Sequence, residues 1–158
     1  MVIDASALLA ILLGEPEAEE FSRAIASDSK RLVSALSALE AAIVIRSRKG
    51  PAGLRELDLL VHSAGATVVS LDAEQVLLAR SAYEQYGKGH HPAALNLGDC
   101  CSYALSRSSG EPLLFKGVND HPKFPHLDRL KIPPSSVDVV LLTDLVAGPV
   151  GPVGGAAV

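Results

Sequence analysis

The chain is poor in the residues that announce a chemistry by themselves. Tryptophan is absent, methionine occurs once, and aromatic residues make up 4% of the 158 positions. So few rings argue against an aromatic platform on which bases stack. The only cysteines, Cys100 and Cys101, are adjacent. They are poorly placed to pair with each other, and neither has a Cys-x-x-Cys partner, which argues against a disulfide framework and against zinc. Two small, partly buried thiols in a reducing cytoplasm are the simpler expectation. Positive charge is scarce as well: 14 Lys and Arg against 18 Asp and Glu leave a net charge of −4 and a pI near 5.7. That excludes a broad basic surface for duplex DNA, although a local basic rim around an acidic centre still serves a nucleic acid. No uncharged apolar run reaches the length of about eighteen residues that a membrane span needs. The opening run Met1-Val2-Ile3 is stopped by Asp4 and preceded by no basic segment, so it does not read as a secretion signal. No internal repeat is visible.

What is present is an ordinary core-forming composition, 48% hydrophobic, on a length suited to one domain. Val2–Asp4 reads as a first strand and Ser6–Leu13 as a short helix ended by Gly14. Glu15-Pro16-Glu17 opens a second helix to about Ala26, with proline and acids in the first turn. Arg31–Ser34 is a second strand, and Ser37 is the expected N-cap of a helix Ala38–Arg48, broken by Gly50-Pro51. Leu54–Ala64 has apolar residues at helical spacing. Thr67–Leu71 is a β-branched strand, Ala73–Tyr86 a helix, Gly98–Arg107 a helix and Pro112–Phe115 a fourth strand. Alternating strands and helices predict an α/β fold with a parallel, helix-covered sheet. Residues 1–145 read as a single domain. Within it, 118–136 is irregular and holds four prolines, and Val137–Leu142 has the composition of a further strand. Residues 146–158 contain only Gly, Pro, Ala and Val and read as a disordered tail.

Three acids stand outside solvent-facing stripes. Asp4 closes the first strand, and open α/β sheets bind ligands beyond the carboxyl ends of their strands. Glu40 and Asp99 each lie near a helix start among small or apolar residues. A first-turn acid often only complements the helix dipole, but a carboxylate closing a buried strand is costly unless paired. Carboxylates that converge repel one another unless a cation neutralises them, and oxygen-only ligands favour Mg²⁺ or Mn²⁺. The residues by themselves lead to an α/β domain with a candidate acidic metal site.

Four blocks, in order, carry a more specific resemblance: Val2-Ile3-Asp4-Ala5-Ser6-Ala7-Leu8, Glu40 in its apolar helix, Asn96-Leu97-Gly98-Asp99-Cys100 with Ser102-Tyr103, and Pro112-Leu113-Leu114-Phe115-Lys116-Gly117. Together they resemble the PIN-domain ribonucleases, and among these the VapC toxins of bacterial toxin–antitoxin pairs. The resemblance implies a three-layer α/β/α sandwich and Mg²⁺- or Mn²⁺-dependent endonucleolytic cleavage of RNA without a covalent intermediate. It implies Asp4 and Asp99 as principal metal ligands, Glu40 completing the cluster, and Ser6 bonding Asp4 or the scissile phosphate, where its plainer role is a helix cap. It further implies a cytoplasmic toxin, a homodimer, and a VapB-type antitoxin whose extended C-terminal segment wraps the toxin and sends a cationic group into the acidic cavity.

The chain departs from that pattern after Gly117. The expected acidic turn is Val118-Asn119-Asp120-His121-Pro122, one residue out of step, which makes Asp120 the candidate fourth acid and Asp144, in Thr143-Asp144-Leu145, the second choice. Lys116 is the better candidate for phosphate contact. Lys88, His90 and His91 form a local basic loop with the same potential, or simply a solvated surface. His121 and His126 lie in the irregular segment, and Tyr83, Tyr86 and Tyr103 are expected to pack. The apolar faces of Ala7–Leu13 and Leu54–Ala64 suit a partner or, more simply, the core. Two other readings are a PIN scaffold that binds a partner without cleaving and a structure-specific DNA nuclease.

Overall fold

The computed structural model describes residues 1–89, 91–116 and the strand at 138–140. Along the chain run β1 (Val2–Ile3), α1 (Ala5–Leu13), α2 (Ala18–Ser27), β2 (Leu32–Ser34), α3 (Ala35–Ser63), β3 (Thr67–Val69), α4 (Ala73–Tyr86), α5 (Leu97–Ser109), β4 (Leu113–Phe115) and β5 (Asp138–Val140). The sheet order is β3-β2-β1-β4-β5. The first four strands are parallel, with Val2 opposite both Leu32 and Leu113. The edge strand β5 is antiparallel to β4, so the sheet is parallel in its centre and mixed at one edge.

Side chains alternate across the strands, and the two faces bury different sets. Ile3, Val33 and Leu114 join Leu8, Phe21, Ile25, Ile45 and Leu57 in a core under α1, α2 and α3. Val2, Leu32, Leu113 and Phe115 join Ala79, Ala82, Cys101, Ala104 and Leu105 under α4 and α5. Strands β1, β2 and β4 are therefore apolar on both sides, as a sheet covered by helices on both faces requires. The result is a three-layer α/β/α sandwich.

The expected elements are present, with local shifts that have physical causes. Helix α1 begins one residue early because the Asp4 side chain caps it, accepting the Ser6 N–H. Pro16 lies in the turn before α2 rather than in its first turn. Strand β2 runs into α3 without a loop, so Ser34, not Ser37, is the N-cap; its hydroxyl accepts the N–H of Ser37 at 3.0 Å. Gly50 breaks α3 with φ 66° and ψ −157°, a conformation that only glycine adopts easily, and Pro51 opens the second half. The helices expected at Ala38–Arg48 and Leu54–Ala64 are thus two arms of one kinked element. Cys100 and Cys101 are fully rather than partly buried, and both are free thiols. Most of α1 is consumed by the core. Among the described residues, the exposed large apolar side chains lie instead on α3 (Leu39, Ile43, Leu59), on β3 (Val68), on and before α4 (Leu71, Val76, Leu77, Tyr83) and at Leu97.

Candidate functional site

The chain lays down β1, then β2 and β3 to one side, and returns to place β4 on the other side of β1. The topological switch point of the sheet is therefore between β1 and β4, and the crevice beyond their carboxyl ends is where such folds bind ligands. Asp4 follows β1 and Lys116 follows β4, so both stand at that crevice.

Asp4 is fixed from all sides. Its N–H donates to the Leu114 carbonyl at 2.9 Å, tying it to β4. Its Oδ1 accepts the Ser6 N–H at 2.9 Å and the Ser6 hydroxyl at 2.7 Å, and its Oδ2 accepts the Ser102 hydroxyl at 2.7 Å. The residue is 4% exposed, and no cationic side chain pairs with it among the described residues. Ser6 in turn accepts the backbone N–H of Lys116 at 3.0 Å, which fastens the chain leaving β4 to the start of α1. Ser6 is thus an Asp4 partner; the cap of α1 is Asp4 itself.

Asp99 occupies the first turn of α5 and is equally buried. It forms a reciprocal capping box with Asn96: Asp99 Oδ2 accepts the Asn96 N–H, and Asn96 Oδ1 accepts the Asp99 N–H, each at 2.9 Å. Glu40, on α3, is half-buried and lies against the same turn. A Cβ added to Gly98 would stand 2.1 Å from Glu40 Oε2, so the carboxylate occupies the space that glycine leaves free. A groove of about 300 Å³ opens there, lined by Glu40, Asn96 and Gly98 and walled by Leu36, Leu39, Ile43, Val44 and Leu97.

Helix α5 is the common support. Its first turn carries Asp99 and receives Glu40, and Ser102, one turn on, reaches Asp4. The three acids therefore border two successive turns of one helix. They do not form a ready three-ligand cage: among the described residues, no group of three His, Cys, Asp or Glu side chains is placed to hold one ion. The reason is local, since Asp99 folds back on its own helix start and Asp4 turns both oxygens to serine hydroxyls. The donor set nevertheless fits a hard divalent cation, being all oxygen, with a buried carboxylate at Asp4 that lacks a cationic partner among the described residues.

Lys116 has a different engagement from the one expected. Its ammonium pairs with Glu15 at 2.6 Å and Glu17 at 3.2 Å, in the turn between α1 and α2. Bonding to Glu15, ahead of the opposing cost of burial, pushes its pKa up. Only its backbone N–H serves the Asp4 side. Lys88 is exposed, and His91 packs edge-on against Tyr86 while its Nδ1 accepts the Ala93 N–H. Tyr86 also packs on Tyr103, whereas Tyr83 is 43% exposed. His90, His121, His126, Asp120 and Asp144 lie outside the described residues, as does nearly all of 118–158. Sequence reading placed Ser102 in a family block without a role and took Ser37 for a helix cap; the signal for their part in the site was a hydroxyl three residues from an acid on an otherwise apolar helix face.

Fold and site together define a class: a three-layer α/β protein whose ligand edge is lined by carboxylates. The family model for the PIN domain matches residues 1–127. A Mycolicibacterium smegmatis protein named ribonuclease VapC is 58% identical over 117 residues, covering 74% of this chain and 91% of the relative. Ribonuclease VapC30 of Mycobacterium tuberculosis is 52% identical over 128 residues, covering 81% and 95%. This chain belongs to the PIN-domain family, among its VapC ribonucleases. Two solved structures share the fold. One is the Mycobacterium tuberculosis VapC20 toxin, described as cleaving the sarcin–ricin loop, with a TM-score of 0.55, 21% identity and coverage of 69% of this chain and 82% of that one. The other is a toxin–antitoxin complex from Klebsiella pneumoniae, with a TM-score of 0.59, 14% identity and coverage of 78% and 92%.

Proposed function

We propose that the chain is the toxin of a type II toxin–antitoxin pair, a divalent-metal-dependent endoribonuclease acting in the cytoplasm. The observation that carries this reading is the buried Asp4 carboxylate at the switch point, joined through α5 to Asp99 and Glu40. Asp4 and Asp99 are the proposed metal ligands, with Glu40 completing the set and Asp120 as the proposed fourth acid. Mg²⁺, or Mn²⁺ in its place, would neutralise charge on the phosphoryl oxygens and make water a nucleophile at neutral pH. The protein's own share is positioning. Ser6 and Ser102 hold the Asp4 carboxylate, the capping box holds Asp99, and Gly98 lets Glu40 approach. Ser6, beside Asp4 and only partly buried, is the proposed hydroxyl contact to the scissile phosphate. Lys116 reaches RNA only by leaving Glu15 and Glu17; its constant contribution is the backbone bond to Ser6.

The proposed partners are an RNA substrate, a VapB-type antitoxin and a second copy of the chain. The exposed apolar residues Leu39, Ile43 and Leu97, next to an anionic groove, suit a partner segment that brings a cation flanked by apolar side chains. Among the described residues no helix is long and apolar enough to cross a membrane. The absence of a preassembled three-acid set among those residues favours one other reading, a PIN scaffold that binds its partner without cleaving. Induced expression in a bacterium separates the two. The toxin reading expects growth arrest with discrete RNA fragments, relieved by the cognate antitoxin and lost in Asp99→Asn. Arrest without RNA cleavage, equal in Asp99→Asn, would support the scaffold.

A further inference from the structure

Three buried serine hydroxyls run in line towards the Asp4 carboxylate. Ser34 Oγ lies 2.9 Å from Ser37 Oγ, Ser37 Oγ lies 2.8 Å from Ser102 Oγ, and Ser102 Oγ lies 2.7 Å from Asp4 Oδ2. The three serines are at most 1% exposed. Proton counting fixes the direction of the chain. A carboxylate only accepts, and each hydroxyl has one hydrogen. Ser102 gives its hydrogen to Asp4, so Ser37 must donate to Ser102 and Ser34 to Ser37. The free lone pair of Ser34 takes the Ser37 N–H, which closes the series without a conflict. Every dipole then points at the Asp4 carboxylate, and hydrogen bonds in such a series polarise one another.

The same series spaces the acids. Ser37 stands three residues before Glu40 on α3, and Ser102 three residues after Asp99 on α5, so each serine shares a helix face with its acid. The Ser37–Ser102 bond therefore joins the turns of α3 and α5 that carry Glu40 and Asp99. Buried hydroxyls need partners, and an alanine at 37 or 102 would pack without that demand. We infer that Ser102, backed by Ser37 and Ser34, is a positioning residue: its hydroxyl holds Asp4 Oδ2 opposite the Ser6 grip on Oδ1 and sets the orientation in which Asp4 meets a cation. This rests on the metal-site reading of Asp4 above.

The test compares wild type with Ser102→Ala, Ser37→Ala and Ser106→Ala. Ser106 is the control: it is buried on the same helix, but its hydroxyl donates to the Glu111 carbonyl, away from the series. Two quantities are read, the Asp4 Hα–Hβ couplings in metal-free protein by NMR and the Mn²⁺ dissociation constant by electron paramagnetic resonance. Ser102→Ala is expected to average the couplings over rotamers and to weaken Mn²⁺ binding by about 10-fold, the usual loss when a ligand's own partner is removed. Ser37→Ala shifts both in the same direction by less, and Ser106→Ala shifts neither. Wild-type couplings and affinity in Ser102→Ala would overturn the inference. A wild type that binds no Mn²⁺ refutes the metal reading alone, and the couplings still decide whether Ser102 orients Asp4.

Discussion

Gly98 shows how one atom separates stability from activity. A methyl group there would stand 2.1 Å from Glu40 Oε2, but the obstructed atom is the end of a mobile side chain. Gly98→Ala should therefore fold, since the end of the Glu40 side chain is what has to shift. Thermal unfolding should move little, while RNA cleavage should fall about 10- to 100-fold, as misplacement of a positioned group by an ångström does. The cysteines make a second residue-scale prediction. Burial first, then the Asp99 charge and Cys101, push the Cys100 thiol up to about 11. Both thiols should resist a disulfide reagent at pH 7.5 in the native protein and react at once in denaturant. Asp4 and Asp99 were legible in the sequence because each ends or begins an element with a clear boundary. Ser102 was not, since its partners Asp4 and Ser37 lie 98 and 65 residues away and no local pattern encodes them.

At the scale of elements, most boundaries followed from punctuation and periodicity, and the errors share a cause. Ser34 and Ser37 are both good caps; the choice between them depends on β2 ending against its neighbours, which only the sheet decides. Pro16 looks like a first-turn proline, yet Lys116 holds Glu15 and Glu17 in a turn and α2 starts later. Gly50 was read as a break, and it is the point at which α3 changes direction. Its surroundings are open, so Gly50→Ala meets no clash and its cost is conformational. A loss of about 1–3 kcal/mol is expected for a side chain forced into that region, measured as a lower urea midpoint with an unchanged slope.

At the scale of the whole molecule, the two-sided core and the switch point follow from strands apolar on both faces, which is why the fold class was readable from one sequence. The antiparallel edge was not, because strand direction at an edge leaves no periodic mark. Charge ties the molecule together at the end of the sheet opposite the acid edge. Glu111, just before β4, pairs with Lys30, just before β2, at 2.9 Å and with the Met1 ammonium at 3.2 Å. The Lys30 bond, against a smaller opposing effect of burial and aided by the ammonium, holds the Glu111 carboxyl below its ordinary range. A carboxylate whose native pKa is lowered contributes stability above its unfolded pKa and loses it as pH falls through the native one. The urea midpoint should therefore decline below about pH 5, and Glu111→Gln should flatten that decline. The central claim is that Asp4 anchors a metal-dependent nuclease site, and one measurement tests it most directly: the rate of Mg²⁺- or Mn²⁺-dependent RNA cleavage by Asp4→Asn beside wild type, both shown folded by circular dichroism. The account predicts cleavage by wild type that chelation abolishes, and a loss in Asp4→Asn of about 100-fold or more, as for removal of a charge that acts directly in the transition state. Undiminished cleavage by Asp4→Asn would contradict it.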